Sequence, residues 1–389
     1  MKRRTLLAVL FTLMVGFGWA CARQTLANRT NEPNAGSPVI QTSVVDSDYT
    51  LSGPHSHKNL TIFLIHAKNQ TEDKSPLTLQ EALEQKKVVV HETGDVNELA
   101  IENRSDEEVY VQSGDIVKGG KQDRVLAIDL IVPPRSGKIP IASFCVEQGR
   151  WQSRGNERVA AFDSSNYAVS AKELKIAAKS KRDQSEVWNK VGETQEKLNA
   201  NLSAMATPKP APVPNPTVVG GGAGSRPVAA GVLSTADRVE VRSQLSASSL
   251  QLSLENEKLK DVSGDYIKAL SSIVKNKADV IGFAFAINGK LNSADVYASH
   301  ALFAKLWPKL LNAAAVEAIA EFNPKDKFDA VTADNVAAFL REAETGKAEQ
   351  KNVTQRVLSV QRENDKSLFF ETRDRKRGDA WLHRNYLVK

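Results

Sequence analysis

The stretch that decides the fold class is Gly119–Trp151, GGKQDRVLAIDLIVPPRSGKIPIASFCVEQGRW. Leu126, Ile128, Leu130 and Val132 alternate with Val125, Ala127, Asp129 and Ile131. Side chains on a strand alternate between faces, and here both faces are mostly apolar, so residues 124–132 read as one central strand. Ile139–Glu147 reads as a second long strand beyond the turn residues PPRSGK.

Outward from that pair, Asn59–Ala67 (NLTIFLIHA) reads as a buried strand. PLTLQEALEQKK follows as a helix, with Thr78 and Glu81 at capping-box spacing. Val88–Glu92, Leu99–Asn103 and Glu108–Gln112 are short strands between the turns TGD and RSDE. Ser- and Asn-rich sequence runs to Tyr167, and Ala171–Ala204 then reads as charged helix. Residues 205–233 hold six of the 15 prolines and five glycines, a composition that cannot build a core, so they read as a disordered linker.

Beyond it, 234–260 and 265–275 read as helices, and ADVIGFAFAINGKLNSADVY as a hairpin turning at Asn288-Gly289. Leu302, Phe303, Leu306, Leu310 and Leu311 form a helical stripe, kinked or restarted at Pro308. Residues 332–344 read as a helix ended by Gly346, and 368–387 as a hairpin with a solvated basic tip. The expected fold is α+β. Its N-terminal part is an antiparallel sandwich or barrel-like sheet with flanking helices, and a C-terminal βα part packs on it. The expected divisions are 1–22, 23–44 (flexible leader), 45–204, 205–233 (linker) and 234–389.

The first 22 residues are set apart from that fold. Lys2, Arg3 and Arg4 precede an apolar core, and Ala20 and Ala22 flank Cys21 in an A-x-A pattern, which together read as a signal peptide. The apolar run is about 16 residues, short of the ~20 that span a bilayer, so no transmembrane span is expected after cleavage. The expected location is secreted or periplasmic. The alternative is a lipoprotein anchored through Cys21, and RRTLL also resembles a twin-arginine signal. The chain has 52 basic and 46 acidic residues, and without the signal only 49 basic ones remain, a net +3. Its basic pI therefore gives no support to nucleic-acid binding. Cleavage leaves Cys145 as a single cysteine and no internal disulfide.

The corner between Gly119 and Trp151 holds the candidate site. Gly114 and Gly119 have P-loop separation, but Gly120 stands where lysine belongs and no Ser or Thr follows Lys121, so the Mg²⁺ hydroxyl is missing. A looser anion site reads from a Gly119-Gly120 backbone nest with Lys121, Gln122 and Arg124 beside it. Glu147 at a strand end reads as a general base or a ligand holder, or as a structural ion-pair partner of Arg150 or Arg124. Trp151 either stacks on a ligand ring or caps the core. Cys145 reads as a small buried hydrophobe, since no histidine is placed beside it as a base. No metal site and no cofactor is expected; His55 and His57 are two apart but lack a third ligand.

The ordered set Gly114, Gly120-Lys121-Gln122, Arg124, Pro133, Cys145-Val146-Glu147 and Gly149-Arg150-Trp151 resembles the ADP-ribosylglycohydrolase and rhodanese-phosphatase-superfamily-associated proteins, a bacterial family of unknown function. Gly282–Leu311 carries a second, weaker resemblance, and together they cover residues 45–320. The resemblance implies ADP-ribose or phosphate metabolism only through gene association, and it brings no catalytic residues with it. It groups the corner residues as one signature. The first functional reading is a non-catalytic module for an anionic or polar ligand, or for an envelope protein partner. The alternative is a hydrolase of nucleotide-like or phosphate-bearing substrates with Glu147 as base. A third reading makes the protein an envelope scaffold. The sequence leaves open whether the protein is an enzyme.

Overall fold

The fold was read from a computed structural model that describes residues 41–46, 49–71, 73–205, 239–323, 325 and 327–389. The expected signal peptide (1–22) with Cys21, residues 23–40 of the expected leader and all of the expected 205–233 linker but Met205 lie outside the described residues. Burial of alternating apolar side chains organises the chain into three sheets with helices against them, the expected α+β class. The largest is a nine-stranded antiparallel sheet, part of a curled half-barrel arrangement. Its order is Gln41–Asp46, Tyr49–His57, Leu60–His66, Val280–Ile287, Lys290–Tyr297, Ala380–Val388, Ser367–Asp374, Val357–Glu363 and Lys347–Asn352. Leu60–His66 pairs with Val280–Ile287, so strands from before and after the linker share one sheet. A six-stranded sheet runs Phe162–Ala168, Asp115–Gly119, Arg124–Leu126, Ile139–Cys145, Glu98–Asn103, Val88–Glu92. A small third sheet joins Leu130–Val132, Val109–Val111 and Leu77–Thr78.

Local chemistry explains several boundaries. Thr78 accepts from the Glu81 N–H while Glu81 accepts from the Thr78 N–H, closing the capping box of the Leu79–Glu84 helix. Asn288 and Gly289 both have positive φ, 50° and 68°, the pair a type I′ turn requires. The His300–Ala320 helix continues through Pro308 without restarting, and its buried face packs on the Val280–Ile287 strand.

Other expectations are corrected. Gln41–Asp46 is a strand, so the leader gives way to sheet before residue 44. Residues 124–132 are two strands in two sheets, because the chain turns at Ile128-Asp129 to carry the Asp129 carboxylate inward. The Ala171–Ala204 helix is interrupted. A π-helical turn at Ala177–Lys181 ends on Arg182 at φ 54°, and a new helix runs Gln184–Met205. Of the expected helix 234–260, residues 234–238 lie outside the described residues; within 239–260 it reduces to Leu250–Leu254, and Asn256 then caps Glu257–Leu270. Gly346 does not close its helix; a Cβ there would meet the Glu363 carbonyl oxygen at 2.5 Å, so the glycine serves a close backbone approach. Strands 162–168, 347–352 and 357–363 were not expected, as their polar sequences lack a clean alternation. Nor is the 375–377 tip merely solvated, since Arg377 binds Asp73 (2.8 Å), Glu108 (3.0 Å) and Asp374.

Candidate functional site

Two polar clusters lie within this frame. The first is the expected corner, and the two chain ends do meet there. Gly119 and Gly120 have φ of 114° and 56°, and a Cβ on Gly120 would sit 2.3 Å from the Phe162 ring. Glycine is therefore required at Gly120 both by backbone and by space. The nest they open is filled by the protein's own oxygens. The Gly119 N–H donates to Asp123 Oδ1, Gly120 to the Arg158 carbonyl and Lys121 to Glu92 Oε2.

Gln122, Asp123, Arg124 and Glu147 are buried. Glu147 accepts from Arg150 Nε (2.7 Å), from Arg154 (3.4 Å) and from the Asp123 N–H (3.1 Å). Burial would raise its pKa, but Arg150 and the other donors outweigh that and hold it low. Both oxygens are thus engaged, and the Glu147 side chain has no solvent exposure. Arg154 bridges Asp123 at 3.0 and 3.1 Å and Glu157 at 2.9 Å, and Ser249 donates to Asp123 at 2.8 Å. Arg150 adds bonds to the Gly119 and Gly120 carbonyls. The result is a brace joining the 119–124 loop, the strand end at 145–147 and the Ser249-capped helix. Arg124 is buried against Gln122 and Cys145, with Glu92 at 3.7 Å, and its Nε and Nη2 have no hydrogen-bond partner. Only the outer layer meets solvent: Trp151 is 47% exposed, with the Lys121 ammonium 4.9 Å from its ring centre.

Cys145 lies inside this brace. Burial pushes its thiol up to about 11, against the opposing charge of Arg124. A thiol so placed is almost wholly protonated at neutral pH and inert. Alkylation of the folded protein by iodoacetamide at pH 8 is expected to be at least about 100-fold slower than in denaturant. Equal rates in the two conditions would contradict this placement.

The second cluster was not foreseen. His383, 1% exposed on the Ala380–Val388 strand, lies between two carboxylates. Its Nδ1 is 2.9 Å from Asp129 Oδ2 and its Nε2 is 2.9 Å from Asp295 Oδ1. Ionised carboxylates only accept, so both ring nitrogens must donate and the ring is an imidazolium. Burial would lower the His383 pKa, but the charges of and bonds to Asp129 and Asp295 outweigh it and the net shift is upward. The reverse holds for the acids. Burial would raise both, yet Lys179 and His383 hold Asp129 low, and His383 holds Asp295 low. Asp129 also accepts from the Ser113 N–H (2.7 Å) and from Thr372 Oγ1 (2.7 Å), and Asp295 from Asn385 Nδ2 (2.9 Å). Tyr297 stacks on the imidazole at 4.5 Å between centroids.

A cavity of about 30 Å³ adjoins this cluster, lined by Asp295, His383, Asn385, Lys175, Lys179 and the Phe283–Phe285 wall, among others. Lys175 and Lys179 are part-buried residues, less enclosed overall than the two acids and His383. Lys179 rides on the π-helical turn, a feature frequent at functional sites. Its Nζ is 3.3 Å from Asn385 Oδ1, and loss of hydration lowers its pKa while Asp129 and Asp295 partly restore it. The cluster counts His383, Lys175 and Lys179 as cations against two carboxylates, one positive charge in excess.

A signal for this cluster did exist. Asp129 interrupts an otherwise apolar strand, and a carboxylate there must find a partner. Sequence alone could not name His383, 254 residues away.

Among the described residues, three antiparallel-rich sheets, a self-filled glycine corner and a charged cavity between sheet and helices define an α+β protein. The chain belongs to the family of the ARG and Rhodanese-Phosphatase-superfamily-associated Protein (ARPP-1) domain, whose model matches residues 48–387. No curated protein and no solved structure matches the chain.

Proposed function

We propose that this protein is a secreted, non-catalytic module that binds a small anionic ligand at the Lys175–Lys179 side of the His383 cavity. The observation that carries the reading is the concentration of positive charge there: Lys175 and Lys179 line the cavity beside a buried imidazolium whose two carboxylates are already engaged. An anion at the mouth balances that charge where water is scarce and attraction is strong. The cavity of about 30 Å³ holds on the order of one water, so it admits a single anionic group while the rest of the ligand lies outside. Phosphate-bearing molecules fit this description. Reading the family's ARG as ADP-ribosylglycohydrolase makes ADP-ribose the first to try. Secretion rests on the N-terminal charge and apolar pattern alone.

Calorimetric titration with inorganic phosphate and with ADP-ribose tests the binding. Lys179→Met and Lys175→Met are each expected to weaken it about tenfold or more, and rising salt to weaken it further. Equal affinity in the wild type and the double variant would overturn the reading, as would failure of both anions to bind at low salt.

A further inference from the structure

At the start of the Lys172–Ile176 helix lies a larger cavity of about 340 Å³, lined by Glu317, Asn292, Asn288, Lys172 and Lys290, among others. Glu317 is 2% exposed and Asn292 8% exposed. Glu317 Oε1 accepts from the Lys172 N–H at 2.8 Å and from Asn292 Nδ2 at 2.9 Å. Asn288 Nδ2 donates to the Glu321 carbonyl at 2.6 Å. Those donors fix which end of each amide is oxygen. Three buried oxygens on residues that line this cavity, Glu317 Oε2, Asn292 Oδ1 and Asn288 Oδ1, have no hydrogen-bond partner among the described residues. Buried acceptors left unpaired are costly, and three on the residues around one cavity call for a donor-rich guest.

We infer that this pocket is a site for a small organic molecule bearing a primary ammonium group, seated against Glu317 Oε2, Asn292 Oδ1 and Asn288 Oδ1. An ammonium offers three donors and one positive charge to three acceptors, one of them a carboxylate. A divalent metal fits less well: Glu173 and Glu321 also line the cavity, but among the described residues no three metal-ligating side chains converge, and Lys172 and Lys290 line it too. The volume suits a molecule of amino-acid or diamine size rather than a bare ion. Those lysines leave room for an acid group at the guest's far end.

The seat is titratable near neutrality. Burial pushes the Glu317 carboxyl up to about 7, opposed by the Lys175 charge and by the Asn292 and Lys172 N–H bonds, and aided by Glu173. The remaining charged neighbours are Lys172 on the same helix as Lys175, Lys290 on the adjoining strand and Glu321, which pairs with Lys197. An ammonium prefers the ionised carboxylate, so affinity is expected to rise about tenfold between pH 6 and pH 8.

The test uses the protein with putrescine and with γ-aminobutyrate as probes, followed through the side-chain amide resonances of Asn288 and Asn292. Saturable shifts are expected at pH 8, weakened at least about tenfold by Glu317→Gln and by Asn288→Gly, which keeps the turn's positive φ. Lys179→Met, which removes the anion seat, is expected to leave them unchanged. Folding of the Gln variant is checked by its thermal midpoint. A raised folded pKa means Glu317 is tolerated fully below its unfolded value and opposes folding as pH rises through about 7. Glu317→Gln is therefore expected to melt above the wild type at pH 8 and level with it at pH 5. No saturation with either amine up to about 10 mM, unchanged binding in the Gln variant, or Ca²⁺ filling the site in place of both amines overturns the inference.

Discussion

Replacing His383 with glutamine is expected to destabilise the protein by about 3–5 kcal/mol at pH 7, read from urea unfolding. The ring is the counter-ion for two carboxylates that have almost no solvent, and glutamine offers a single donor nitrogen in place of two opposed ones, and no charge. Asp129 keeps Ser113 and Thr372, and Asp295 keeps Asn385, but neither keeps a cation in hydrogen-bond contact. The pH dependence identifies the cause. His383 has a raised folded pKa, so its contribution is complete below its unfolded value of about 6.5 and is lost only as pH rises through the higher folded value. Asp129 and Asp295 have depressed folded values, so theirs is complete above about 4 and is lost as pH falls. Between those limits all three interactions are in force in the wild type. In the variant the unpaired acids oppose folding more as they ionise, so the deficit grows from pH 4.5 to pH 7. Adding Asp295→Asn to His383→Gln is expected to recover part of the loss. A deficit below about 1 kcal/mol, or one of equal size at both pH values, would mean that His383 is not the charged centre of the cluster.

The two clusters differ in how far the sequence revealed them. The 119–151 corner was legible because its members lie within 33 residues and its glycines announce a special backbone. Periodicity does not say whether a charged side chain faces water or another charge, and the answer depended on Arg154. That residue sits in a Ser/Gly/Asn-rich stretch and reads as loop, yet it is 7% exposed and holds two buried acids. The hairpin at Asn288-Gly289 and the Thr78 cap were legible because each is a local device with its own geometry. The break at Ile128-Asp129 was not, because its cause is a partner on a strand near the other end of the chain. Contacts set by distant pairing leave only an indirect trace in sequence, here a lone carboxylate among apolar residues.

Arg154→Ala provides the second large effect, a loss of about 3–5 kcal/mol. Asp123 and Glu147 are both fully buried, and Arg154 gives Asp123 two of its three side-chain hydrogen bonds. Arg150 remains, but it binds Glu147 at 2.7 Å and approaches Asp123 only to 3.8 Å, so Asp123 is left as a buried carboxylate held mainly by Ser249 and the Gly119 N–H. Ser249 also caps its own helix through the Leu252 N–H, and Leu250 N–H donates to the Val146 carbonyl. The strain therefore spreads from the 119–124 loop to a segment beyond the linker. Arg154→Lys, which keeps the charge but not the planar two-pronged contact, is expected to lose about 1–2 kcal/mol and stays measurable where alanine unfolds the protein. Glu147→Gln is expected to fall in the same range, since it removes a charge that two arginines satisfy. None of these variants touches Lys175 or Lys179, so anion affinity measured on the folded fraction should hold within about threefold. If Arg154→Lys instead preserved stability and abolished phosphate or ADP-ribose binding, the corner would be a ligand seat rather than a brace, and the His383 cavity would lose its claim to that role.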